Sequence, residues 1–398
     1  MSDRNAVPVL MYHSVGRRLG DWGAAELTTP VDIFEDHLKW LEKRRFQTIN
    51  LQQLYDSVAH KSPLPERSIV LSFDDGYVDN WTYVVPLLNR YGFSATIAVN
   101  PDFIDPRDIV RPTLEDVWSG RIRENELEVR GFVSWSELKL ASKRNLLSVQ
   151  SHSMTHTWYP TGSQVIDFHH PGDSYYWLDW NDYPEDKPFF LRHPTQSKVP
   201  WGTPVYVNDR SLGITRYFPD QREVRSMCEF VLHQGGERFF EQAKWRQTLF
   251  AELTRYREEN GVAGRYETDE ERLGRFRAEL VVAKQLIEEK IETEAGFLFW
   301  PGGVRNSESM ALADSIYKAS PVGEPERRYL KNRPGDDASK ISRRGAPTIE
   351  QDGRVLYLGG RYLVKYLDEF CEIPFARRQR QFLKLLFLIG ARLKLWPR

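Results

Sequence analysis

The stretch IVLSFDDGYVDN (Ile69–Asn80) runs from an apolar, β-branched segment straight into two adjacent acids, Asp74 and Asp75, and then Gly76. A short apolar run bounded by a turn signal reads as a buried strand. One aspartate after it would be ordinary, since Asp starts turns and caps helices. Two repel each other unless a cation or a shared proton relieves them. The strand end therefore asks for a cation from elsewhere in the chain.

Working outward, VPVLMYHSV reads as a short buried strand and Phe34 to Arg44 as an amphipathic helix. WTYVVPLLNRYG predicts a helix closed by Gly92, followed by the strand SATIAV. SWSELKLASKRN predicts a helix with Ser134 as N-cap, followed by the strand LLSVQSH. Such alternation argues for a parallel α/β sheet with crossover helices, whose chemistry collects at the C-terminal strand ends. Both DD and SHSMTH sit at such ends. From about Tyr159 to Gly264 the pattern gives way to an aromatic-rich insertion, with ERFFEQAKWRQTLFAELTRYREE as a helix. Thr268 and Glu271 make a capping-box spacing that opens a long helix to about Glu292. GFLFWPGG resumes the strands, Pro321 to Pro347 reads as a polar loop, RVLYLGG as a last strand, and the tail as a helix.

Bulk properties exclude little. The 398 residues carry a net charge of −1, with 40% hydrophobic and 28% charged residues, as in ordinary soluble proteins. That balance gives no reason to expect nucleic acid. Cys228 and Cys371 form neither a metal-binding spacing nor a disulfide framework. The N-terminus lacks the features of a signal peptide, and no run of about 18 apolar residues occurs. The expected compartment is cytoplasmic. The 12 Trp, 18 Tyr and 21 Phe suit a protein that grips sugar faces, and equally a large core.

The cation has a candidate site. His152 and His156 lie four apart, a spacing that on a helical turn puts both rings on one face. Alone, H-x3-H reads better as two surface histidines. Joined to DD at a neighbouring strand end, it offers one carboxylate and two imidazoles with open positions, a catalytic zinc-type shell. The same ligand set fits non-haem Fe(II) oxygenases. The adjacent second acid is placed to accept a proton.

At these motifs the sequence resembles the polysaccharide deacetylases of carbohydrate esterase family 4. Ser72–Gly76 corresponds to the family's T/S-F-D-D-G, His152–His156 to its H-S/T-x-x-x-H, and Phe299–Gly303 to its aromatic-x-P-x-G turn. The resemblance implies an irregular (β/α) barrel in two parts, 6–158 and 268–360. The insertion, 159–267, and a C-terminal helical tail, 361–398, are added to it. It implies removal of N-acetyl groups from amino sugars, with Asp74 as general base. Asp75, His152 and His156 would hold a divalent metal, most simply zinc, and a backbone N–H at Pro301–Gly302 would hold the oxyanion.

Three departures stand out. Phe299 takes the place of an Arg that orients the base in many members, Gly302 replaces the usual Tyr, and no His follows His233 to act as acid. Leu10–Val15 resembles the L-x-Y-H-x-V opening of a branch in which the acid-bearing strand comes first, as if circularly permuted. That implies His13 as general acid, ahead of His169 and His170. His37, His60, His193 and His233 have nothing to aim them at the site. A non-catalytic glycan-binding protein on the same fold is the alternative reading.

Two further features divide between readings. Tyr175, Tyr176, Trp177, Trp180 and Tyr183 form either a sugar-stacking rim or a satellite core, with Trp135 and Trp300 as further sugar contacts. In the tail, Arg377, Arg378, Arg380, Lys384, Arg392, Lys394 and Arg398 surround FLKLLFLIG. Such a helix either lies on an anionic membrane surface or docks on the barrel. The implied partner is an N-acetylated glycan, whether polymeric, lipid-linked or nucleotide-linked.

Overall fold

Strands buried on both faces need helices on both sides of the sheet, and β-branched runs supply them. The computed structural model describes residues 6–17, 25–192, 197–324, 326–351 and 354–392. Strands β1 (Val9–Tyr12), β2 (Ser68–Phe73), β3 (Ala95–Val99) and β4 (Leu147–Ser151) lie side by side in that order, all parallel. Every residue of β2 and β3 is buried. Between them run the helices Val31–Lys43, Leu51–His60, Val85–Tyr91 and Trp135–Lys143. Gly92 closes the third in a left-handed conformation, and Ser134 with Glu137 caps the fourth, as the sequence predicts.

Past β4 the sheet continues through single bridges, Ser151 to Leu298 and Phe297 to Ala319. β5 (Ser320–Pro321) lies parallel to β6 (Lys340–Ile341). One residue later β7 (Arg343–Gly345) returns to β1, pairing Arg343 with Val9. The ring is closed, and the fold is the irregular (β/α) barrel.

The closure corrects two expectations. The stretch from Pro321 to Pro347 is not simply a loop, because it carries β6 and β7. Their two- and three-residue runs are too short for any hydrophobic period to show. RVLYLGG does not complete the barrel, since Arg354–Tyr357 instead forms an antiparallel hairpin with Thr348–Gln351. GFLFWPGG contributes bridges rather than a regular strand. His60 ends the helix Leu51–His60.

The insertion builds its own layer. Its hairpin, Trp158–Phe168 with Pro204–Arg210, packs against the helices Gln221–His233 and Trp245–Asn260 through Phe168, Tyr206, Met227, Phe239 and Leu249. The predicted helix over ERFF…REE begins only at Trp245, after a 3-10 turn at Gly236–Glu241. Thr268 and Glu271 do form a capping box. The helix they open is interrupted at Ala278–Val282 by a π segment before it ends at Ile291.

The tail is a helix over Ala376–Arg392. Leu383, Phe387 and Leu388 dock on Ile349, Leu358 and Tyr362. Its other side leaves Phe382, Leu385, Leu386 and Ile389 exposed. Lys394 and Arg398 lie outside the described residues.

Asn332 fixes the closure. It is buried at φ +54°, and its side-chain amide donates to Val7 O at 2.9 Å and Ser342 O at 2.7 Å. Its carbonyl accepts from Ser342 N at 2.7 Å. One side chain thus ties the joint between β6 and β7 to the start of β1. Asn332→Ala leaves three buried backbone groups unpaired and should cost about 3 kcal/mol, read from denaturant unfolding. A loss under about 0.5 kcal/mol, the scale of an ordinary surface change, would show that closure does not depend on it.

Candidate active site

The two acids diverge because the chain turns sharply between them. Asp74 N still donates to Tyr12 O at 3.0 Å, holding Asp74 in line with β1. Asp75 and Gly76 are both left-handed, at φ +73°. A Cβ at Gly76 would lie 3.2 Å from Val99 Cγ1, so both the turn and the packing call for glycine. Asp74 then faces β1 and β7, whereas Asp75 faces the loop after β4.

Asp75 meets both histidines. Its Oδ1 lies 3.1 Å from His152 Nε2 and 3.4 Å from His156 Nε2. One ligand atom from each residue falls within 4.8 Å of the others. The segment is a loop rather than the helical turn that H-x3-H suggests, with Ser153 and His156 in left-handed conformations. Three contacts shape it. Asn100 Nδ2 donates to His152 O. Glu279, from the π segment, accepts from Met154 N at 3.1 Å, Thr155 N at 3.0 Å and the Thr155 hydroxyl. His152 Nδ1 donates to Phe299 O at 2.9 Å, which orients the ring with Nε2 facing Asp75.

The group fits a cation. Asp75 Oδ1 is buried with no hydrogen-bond partner, an orphaned carboxylate oxygen opposite two ring nitrogens. Burial pushes the Asp75 pKa up, but the adjacent His152 and His156 outweigh it and hold the carboxyl well below the usual carboxylate range. Burial lowers His156 to about 3, with Asp75 opposing and Arg210 reinforcing, so the ring is neutral as a ligand must be.

Asp74 has a different cation. Arg343 Nη1, from β7, reaches its Oδ1 at 2.7 Å. Burial would raise the Asp74 pKa, but the Arg343 guanidinium overrides this and holds it below the usual carboxylate range. Arg343 also lies 4.8 Å from the centre of the Phe299 ring. The Phe299 departure is thereby explained: the arginine arrives from another strand and Phe299 is its platform. His13 Nε2 stands 4.0 Å from Asp74 Oδ2, and Asn80 Nδ2 holds the His13 carbonyl at 2.9 Å.

Arg210 ends the insertion hairpin beside the triad. Its guanidinium lies 3.5 Å from the centre of the Trp158 ring and donates to His156 Nδ1 at 2.8 Å. A Cβ at Gly302, which is at φ +57°, would lie 3.1 Å from Arg210 Nε. Arg210 thus occupies space that a larger residue at 302 would need.

These groups line a cleft of about 410 Å³ that also takes in Gly302 and Trp300. Trp300 is buried and its indole N–H has no partner. Pro301 is buried beneath the turn. A second cavity of about 210 Å³ shares Leu27, Asp75, His156 and Arg210 with the first and is walled by aromatic rings including Trp180 and Tyr176. Trp177 lies instead in a satellite core with Leu178, Val199 and Val205, and Trp135 packs at the edge of the main core. Neither borders the cleft.

The other histidines are engaged elsewhere. His37 bonds Tyr12 and Leu358, His169 bonds Asp173 and Ser197, and His170 meets Arg246. His193 lies outside the described residues. Arg343 and Arg210 are the site residues that sequence reasoning missed.

Removing the Arg343 charge should raise the Asp74 pKa, because the cation favours the ionised form. In Arg343→Met the acidic limb of the kcat/KM profile should therefore move to higher pH. An unmoved limb in a folded variant would dissociate Arg343 from the base.

Residues 61–168 match the polysaccharide deacetylase family model. The Bacillus subtilis (strain 168) protein YxkH, whose name assigns it to the polysaccharide deacetylases, is 34% identical over 91 residues, covering 23% of this chain and 30% of that protein. The poly-beta-1,6-N-acetyl-D-glucosamine N-deacetylase of Escherichia coli (strain K12) is 24% identical over 149 residues, covering 37% of this chain and 21% of that protein. The chain thus spans less than a third of the length of either relative. The BpsB deacetylase domain from Bordetella bronchiseptica aligns with a TM-score of 0.49 at 20% identity, over 87% of this chain and 97% of that one. The residues that match the polysaccharide deacetylase family model, 61–168, hold Asp74, Asp75, His152 and His156.

Proposed function

We propose that the chain is a metal-dependent N-deacetylase of an N-acetylated glycan. The observation that carries the reading is the division of the two acids between separate partners, Asp75 with two imidazoles and Asp74 with Arg343 and His13. Asp75, His152 and His156 would hold a divalent ion, and an N/N/O set of this softness favours zinc. When bound, the ion supplies Lewis-acid polarisation of the acetamide carbonyl. Asp74, kept ionised by Arg343, takes the proton of the attacking water. His13 faces the same cleft and delivers a proton to the departing amine. The Gly302 backbone lies where it can support the developing oxyanion. Trp180, half-buried in the wall of the second cavity, is the aromatic face available to the sugar, whereas Trp300 is buried. The relative named for poly-N-acetylglucosamine deacetylation supports the substrate class.

Release of acetate from a panel of N-acetylated glycans by the zinc-loaded chain tests this directly. Asp74→Asn should abolish turnover, and His13→Ala should lower kcat about 10²-fold with metal content unchanged. No acetate from any glycan, with stoichiometric zinc bound, would sink the reading.

Peripheral membrane contact through the tail is part of the same proposal. Phe382, Leu385, Leu386 and Ile389 fall at i, i+3, i+4 and i+7 on the exposed side, beside the exposed Arg377, Arg378 and Lys384. A basic helix with an uncovered apolar stripe suits an anionic lipid surface, here the inner membrane face. No helix among the described residues is long and apolar enough to cross a membrane. The chain should float with anionic but not zwitterionic liposomes, and Leu385→Glu with Ile389→Glu should abolish flotation. Equal flotation of this double variant would remove the idea.

A further inference from the structure

The cleft in front of the triad has more positive than negative charge. Its wall carries Arg210, Arg305, Arg327 and Arg343 against Asp74 and Asp75. Arg343 is neutralised by Asp74, and Arg327 pairs with Glu324 at 2.8 Å near the surface. Arg210 and Arg305 are half-buried, and among the described residues neither has a carboxylate within ion-pair distance. Arg210 touches His156 and Trp158. Arg305 donates to Gly303 O at 2.9 Å and lies 5.8 Å from the centre of the Trp300 ring.

Such an arrangement is costly in the free protein. A partly desolvated cation without a paired carboxylate loses hydration that neutral hydrogen bonds and ring contacts repay only in part, and like charges around one cleft add repulsion. A divalent ion at the triad would add to it. Yet Arg305 is held in place: its guanidinium runs from the Gly303 carbonyl towards the loop at Gly323, where a Cβ would lie 4.0 Å from its Nη2. Arg327 borders the same end of the cleft. Guanidinium forks fixed in this way match tetrahedral oxyanions through paired, charge-assisted hydrogen bonds. A neutral glycan would leave them unmatched.

We propose that the substrate carries a phosphate beside the scissile acetamide, as in a 2-acetamido sugar 1-phosphate. Arg305 and Arg327 would grip the phosphate. The chemistry fits one cleft, because the anomeric carbon adjoins the carbon bearing the nitrogen. A phosphate there stays near the acetamide while the carbonyl faces Asp75, His152 and His156. The cleft volume of about 410 Å³ falls within the range for small-ligand sites, about 300–1,000 Å³. The shared feature is the sugar phosphate, whether free, nucleotide-linked or lipid-linked. The proposal rests on the deacetylase reading of the same site.

Equilibrium binding to the metal-free chain tests it without turnover. N-acetylglucosamine 1-phosphate should bind about tenfold or more tightly than N-acetylglucosamine, as expected for charge-assisted bonds. That ratio should collapse towards one in Arg305→Gln and persist in Arg328→Gln, a surface control outside the cleft wall. Equal binding of the two sugars by the parent chain, or a ratio unchanged by Arg305→Gln, would overturn the proposal. With zinc loaded, the preference in kcat/KM among free, nucleotide-linked and polyprenyl-linked 2-acetamido sugar phosphates identifies the source. Arg305-dependent binding with no acetate released from any substrate would keep the anion site and reject the deacetylase reading. Acetate released from neutral glycans with no phosphate preference would do the reverse.

Discussion

The Asp74–Arg343 ion pair joins residues 269 apart in sequence, and the cleft depends on it. Asp74 follows β2 and Arg343 opens β7, and both strands pair with β1. The contact therefore exists only when the ring is closed. Asp74 is 2% exposed, so the carboxylate has little water to replace a lost partner. Breaking a buried pair by removing one member typically costs about 3–5 kcal/mol, because the other charge is stranded. Closure of the barrel and ionisation of Asp74 are thus coupled. Asn332, which pins the joint between β6 and β7, acts on the chemistry through the same closure.

The second acid is managed by backbone conformation. Asp75, Ser153 and His156 all occupy the left-handed region, where non-glycine residues carry strain of about 1–3 kcal/mol each. Such conformations persist where surrounding contacts over-determine them. Here Gly76 permits the turn, Asn100 holds the His152 carbonyl, and Glu279 holds the amides of Met154 and Thr155. Two π segments flank the site, Asn80–Val84 after the acids and Ala278–Val282 supplying Glu279. From them Asn80 holds the His13 carbonyl and Glu279 holds the amides of Met154 and Thr155.

How much of this was legible follows from the range of each interaction. Asp74, Asp75, His152 and His156 stand in two short motifs at the ends of strongly apolar strands, so local pattern was enough to find them. His13 was singled out by the resemblance of Leu10–Val15 to a family opening, and it follows β1 with Nε2 4.0 Å from Asp74. Arg343 gave no signal because β6 and β7 are too brief to show alternation, and its partner is fixed only by closure. Arg210 lies in the insertion, where no period connects it with the barrel. Trp177 and Trp180 lie three apart, yet one enters a satellite core and the other borders the second cavity. Aromatic content alone could not separate them.

The insertion is joined to the site at its root. Its hairpin begins two residues after His156, and its first and last residues, Trp158 and Arg210, pair with each other. Arg210 donates to His156 Nδ1, which in a neutral ring places the proton on Nε2, the nitrogen that faces Asp75. Ligation of a cation through Nε2 requires that proton to move to Nδ1, and the Arg210 bond must then be released. The two states exclude one another. An anion that draws Arg210 away from His156 therefore favours the cation, and by linkage the cation favours the anion to the same extent. Arg210 would then be the residue through which an anion and a cation in this cleft are coupled.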